Sequence, residues 1–186
     1  MQTWEEKAAA KRESIKNSIP KEWIIPNVSP ATIFRAMDFP FHEYLTSTEL
    51  EITHLSVIEL LDRISKGQYK AVDVARAFAH RAAIAHQLVN CCAEFFWDAA
   101  EKQANELDDF YAKTGNVVGP LHGLPISLKG IVFYKRPIKS LDQFRVKGIE
   151  TAMGYVGWLG PIETKDSVLT EILRKLGAIF YGISRR

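Results

Sequence analysis

The sequence has 186 residues, 47% of them apolar and 25% charged, with 11 glycines and 8 prolines, the make-up of about one globular domain, which excludes collagen-like, disordered and low-complexity chains. A chain of this length buries roughly two thirds of the surface its unfolded form exposes, so a core without disulfides or metals is feasible. The 24 Lys and Arg against 22 Asp and Glu leave +2, too weak a field for a dedicated nucleic-acid binder, although residues 121–186 alone carry 11 basic and 5 acidic side chains.

Thr3-x-x-Glu6 is a capping box opening a mostly polar surface helix over residues 4–17, which ends before Pro20. Pro20, Pro26, Pro30 and Pro40 crowd the next stretch, which has no period and reads as an extended arm to about Phe41. A second capping box, Ser56-x-x-Glu59, starts a helix that places Val57, Leu60, Leu61 and Ile64 on a buried face and stops at Gly67. Val74, Ala75, Phe78 and Ala82 carry the helical period through residues 72–88, and residues 90–96 read as a short buried strand. Asp98 is positioned to cap a helix with Ala100, Ala104, Leu107 and Tyr111 on one face, ending near Lys113. Turn chemistry at 119–125 leads into an alternating strand at 126–129. Asp166 is positioned to cap a last helix through Leu176, followed by an apolar strand at 178–181. Helix followed by strand points to an α/β or α+β fold.

Few side chains suggest chemistry by spacing alone. The adjacent Cys91 and Cys92 cannot meet disulfide geometry without strain and read as reduced thiols, which suits an intracellular protein. They lack the spacer of a zinc-binding pair, and His42, His54, His80, His86 and His122 read as structural or surface histidines, so no metal is implied. Asp108 and Asp109 read as a solvated face. Glycines 119 and 123 do not form a phosphate cradle. Lys135, Arg136, Lys139, Arg145 and Lys147, mixed with Phe133, Tyr134 and Phe144, resemble a single-stranded nucleic-acid groove only locally, and a solvated loop is the preferred reading. Neither a secretory leader nor a membrane span is evident, so cytoplasm is the expected location. Lys129 stands apart: ending an apolar strand after a Gly/Pro-rich turn, its ammonium is expected to be partly desolvated, as a lysine base requires.

The eleven residues Gly119-Pro120-Leu121-His122-Gly123-Leu124-Pro125-Ile126-Ser127-Leu128-Lys129 closely resemble the strand that bears the catalytic lysine in the amidase signature family. Gln103-Ala104-x-x-Leu107-Asp108 and residues 145–155 agree with that family's N-terminal part. Trp4-Glu5-Glu6, Ile19-Pro20 and Asn90-Cys91 look like its fungal general-amidase or acetamidase branch. The resemblance implies an α/β chain with a mixed β-sheet core flanked by helices, an incomplete amidase-signature fold. Residues 1–55 would form an N-terminal helix and arm, and 56–186 the first part of an amidase domain. It implies hydrolysis of small linear amides by a Ser-cis-Ser-Lys triad with Lys129 as the catalytic lysine, no cofactor, and a small-molecule amide as partner in place of nucleic acid or membrane. Oligomeric state stays open.

Two departures accompany the resemblance. The family's serines lie in a Gly/Ser-rich segment downstream of the strand at 178–181, whereas this sequence continues Gly182-Ile183-Ser184-Arg185-Arg186, and Ser184 reads as a tail residue and not a nucleophile. Residues 130–141 separate Lys129 from Asp142-Gln143, which directly follow the lysine in the family pattern, and are expected to be an insertion. A chain holding only this part is expected to be inactive and to leave Val168, Leu169 and Ile172 without their usual cover.

Overall fold

The computed structural model describes residues 2–26, 38–129, 144–152 and 155–185. Helix α1 spans Trp4–Asn17, with the reciprocal Thr3 and Glu6 capping bonds expected from sequence. Part of the expected arm is instead a 3-10 turn, Lys21–Trp23, whose Trp23 is buried and stacks on His80 with ring centroids 4.8 Å apart. Most of the remaining arm, 27–37, lies outside the described residues. Sequence reading passed over α2, Ser47–His54, although Thr46 and Glu49 form a capping box there too. Helix α3 spans Val57–Ser65 and buries Leu60 and Ile64, but Val57, expected on the inner face, is exposed.

Helix α4, Ala71–Val89, and helix α5, Trp97–Thr114, pack against each other. Ala75, Ala79 and Ala83 of α4 and Ala100 and Ala104 of α5 are all fully buried in one core cluster. Their small side chains allow a close approach of the two helices at little cost in side-chain entropy. Asp98 sits inside the first turn of α5 and Phe96 occupies the cap position, so the expected aspartate cap is displaced by two residues. Asp108, read as a solvated carboxylate, accepts hydrogen bonds from the Ala71 and Val72 amides at 2.7 and 3.0 Å. It thereby caps α4 from the neighbouring helix, where the chain's own cap residue Lys70 contributes no side-chain bond.

Among the described residues three strands form a mixed sheet in the order β1, β3, β2: β1 at Cys92–Phe95, β2 at Pro125–Lys129 and β3 at Ile179–Ser184. Strand β3 runs antiparallel to β1 and parallel to β2. It extends three residues beyond the expected 178–181, because pairing on both sides satisfies the backbone of residues 182–184. Ser184 is therefore a strand residue opposite Lys129 and not part of a tail. Helix α6, Val168–Lys175, precedes β3. Its cap position is held by Ser167, while Asp166 accepts from the Lys147 amide (2.6 Å) and from Arg174 Nε (3.0 Å). Val168 is 74% exposed, and Leu169 and Ile172 are also exposed, in line with the expected uncovered face.

Replacing Asp108 by Ala should destabilise the chain by about 0.5–2 kcal/mol, the range for a lost helix cap, as read from a denaturant midpoint. An unchanged midpoint would show that water replaces the carboxylate without loss.

Candidate active site

The Gly/Pro-rich segment that precedes β2 lies on the turn that joins α6 to β3. Leu121 N donates to Leu176 O (3.0 Å), Gly123 N to Gly177 O (2.9 Å), and Ile179 N to Leu124 O (2.9 Å). Contact is close enough to dictate residue type. A Cβ on Gly119 would fall 2.8 Å from Leu176 O, and one on Gly177, whose φ is +95°, would fall 2.7 Å from His122 Cα. Both positions therefore require glycine. From this docking β2 continues beside β3, with Leu128 buried in the core and Lys129 at the end of the strand, opposite Ser184.

Lys129 is exposed, whereas the sequence suggested a partly desolvated ammonium. Among the described residues β2 pairs only with β3, so its outer side carries no neighbouring strand at Lys129. Ser184 Oγ donates to Leu128 O at 3.4 Å. The expected insertion at 130–141, together with Asp142, lies outside the described residues, as do Lys135, Arg136 and Lys139 of the basic cluster.

Two neighbours hold this region in place. Gln103 of α5 donates from Nε2 to Ala178 O (2.6 Å) and accepts at Oε1 from Arg174 Nη1 (2.9 Å), tying α5, α6 and the start of β3 together. His122 is 3% exposed, and its Nδ1 accepts from the Val118 amide at 3.1 Å. Burial pushes its imidazole below the ordinary 6.5, with the Asp108 charge opposing the shift. A surface groove of about 650 Å³ lies elsewhere, between the end of α1 and the start of α5, and Lys129 does not line it.

Across the same end of β3, on the far side of Ser184 from Lys129, sequence spacing missed a cluster of donors. His86, Cys91 and Cys92 bring one donor atom each to within 4.8 Å of the others. The sulfurs are 3.9 Å apart, and Cys92 N donates to His86 Nδ1 at 3.1 Å. Asn90, in the left-handed region at φ 52°, ends α4 and turns the chain back so that the start of β1 meets the helix's last turn. The Cys92 thiol beside it, followed by His86, holds the Cys91 thiol down at about 5, while Cys92 is pushed up by the same contact and by burial.

With the lysine strand and its docking turn in place, the Amidase family model matches residues 73–184. The chain belongs to the amidase family. The acetamidase of Emericella nidulans is 49% identical over 181 residues, a match covering 97% of this chain and 30% of that protein. The acetamidase of Aspergillus oryzae is 46% identical, over 96% of this chain and 30% of that protein. Among solved structures, a fatty acid amide hydrolase superposes with a TM-score of 0.85 at 37% identity, covering 100% of this chain and 32% of that one. The amidase-signature fold expected from sequence is therefore present, and the chain spans about a third of the length of these relatives. Among the described residues, no helix is long and apolar enough to cross a membrane.

The His122 shift has a definite sign. The folded chain holds its proton less tightly than the unfolded chain, so the stability it contributes is full above pH about 6.5 and is lost as pH falls through the depressed folded value. Stability of the wild type should therefore fall more steeply between roughly pH 7 and 5 than that of His122→Gln. Parallel pH profiles from denaturant titration would contradict this.

Proposed function

We propose that this chain carries the lysine of a Ser-cis-Ser-Lys amidase that converts a linear amide and water into a carboxylate and ammonia. The observation that carries this reading is the placement of Lys129 at the end of β2, fixed by the docked eleven-residue segment that resembles the family's lysine strand. Membership of the amidase family and the alignment of nearly all of this chain with part of an acetamidase support it.

A hydroxyl is a weak nucleophile until a base removes its proton, and lysine acts as that base only when its charged form is disfavoured. In the proposed reaction a serine oxygen attacks the amide carbonyl carbon while its proton passes through a second serine to Lys129 Nζ. The proton is then delivered to the leaving amine, and water releases the acid from the acyl-serine. Backbone amides would hold the oxyanion in a dry site. Both serines are assigned to the further length that the relatives possess, as are the surfaces that would cover the exposed Lys129. The isolated chain is accordingly inactive. A second reading, a non-catalytic chain with at most a packing role, draws on the exposed Val168, Leu169 and Ile172 of α6.

Purified chain should release no ammonia from acetamide or benzamide above the buffer blank. Ammonia release that Lys129→Ala abolishes would show that the chain holds its own nucleophile and would overturn the lysine-only assignment. Release that survives Lys129→Ala would remove Lys129 from the mechanism.

A further inference from the structure

We propose that His86, Cys91 and Cys92 form a three-ligand site for a thiophilic d10 divalent cation, with zinc as the natural occupant and a fourth position open to water. The site lies at the junction of α4 and β1, and amide hydrolysis has no use for it.

Zinc binds thiolates at about 2.3 Å and imidazole nitrogen at about 2.0–2.1 Å, so two thiolates in a tetrahedral shell stand about 3.8 Å apart. The two sulfurs here are separated by 3.9 Å, a spacing that accepts a cation between them with little movement. The same spacing is nearly twice the roughly 2.05 Å of a disulfide, so the reduced pair is set for coordination and not for a bond to itself. The spacer that zinc-binding cysteine pairs commonly show is unnecessary, because the third ligand arrives from the preceding helix through the left-handed turn at Asn90.

The electrostatics agree with the geometry. Two thiolates and a neutral imidazole leave a divalent cation with no net charge. Arg185 is anchored beside the pair, its backbone amide on Cys91 O (2.7 Å) and its Nε on Cys92 O (3.0 Å). Cys92 is buried against the core while Cys91 and His86 are half-buried, which gives the cation a path from solvent. Coordination through His86 Nδ1 exchanges the hydrogen bond from Cys92 N for a metal bond, making the imidazole the weakest of the three ligands. Bound metal would clip the end of α4 to β1 and, through Arg185, to the end of β3.

The test uses the full 186-residue chain kept reduced with a phosphine, titrated with zinc against a chromophoric chelator. One zinc per chain is expected. Cys91→Ser and Cys92→Ser should each weaken binding by more than about 100-fold, beyond the 10–100-fold cost of losing an outer-shell partner, and His86→Gln by about 10-fold. Because Cys92 lies in the core, the wild type supplies an independent readout. One equivalent of zinc should protect both thiols from alkylation, and cadmium should produce a thiolate charge-transfer band. No stoichiometric binding, binding unchanged in Cys92→Ser, or thiols alkylated at the same rate with and without zinc would each overturn the proposal. Amidase activity enters none of these readouts.

Discussion

The seating of the 119–124 turn on Leu176 and Gly177 governs the rest of this structure. Three backbone hydrogen bonds and two contacts too close for any side chain lock the turn to the α6–β3 junction. Parallel pairing of β2 with β3 begins at that seam, at Pro125 opposite Ile179, and ends with Lys129 opposite Ser184. Parallel strands cannot be joined by a tight hairpin, so their relative placement depends on what holds them at the point of entry. Here the glycines hold it. The requirement for glycine is a matter of backbone approach, and the strand that ends in Lys129 is set in place from its other end.

Much of this was legible in the residues themselves. The capping boxes of α1 and α3 are local devices, complete within four residues, and both form as read. Asp98 and Asp166 failed as caps because the carboxylate that ends a helix is chosen by tertiary surroundings as well as by spacing. Asp166 instead binds the Lys147 amide and Arg174, and Asp108 of another helix supplies the cap that Lys70 lacks. The end of β3 was misread for a related reason. Gly182 and Ser184 carry little strand propensity, but Gly182 permits an approach in which a Cβ would lie 2.9 Å from Glu94 O, and neighbours on both sides complete the strand.

The lysine's role and the cluster at Cys91 lie at different distances from what a sequence can disclose. Lys129 is proposed on an eleven-residue pattern, yet its exposure goes with the edge position that β2 holds among the described strands, which only the strand order reveals. His86, Cys91 and Cys92 fit no familiar spacing, and their meeting depends on the left-handed turn at Asn90. Asparagine after a helical run is a recognised left-handed stop, so that one signal was available. Both sites sit on the β3 framework, one at each neighbouring strand, and so share the same scaffold without sharing chemistry.

Native-state hydrogen exchange addresses the central claim most directly, because the seam is defined by named amides. If the docked turn is what fixes β2 beside β3, the amides of Leu121, Gly123 and Ile179 exchange only when the whole chain unfolds, with protection equal to that of buried α4 amides. Exchange of these three at the rate of the exposed 115–117 loop, while α4 stays protected, would show that the strands keep their register without the seam.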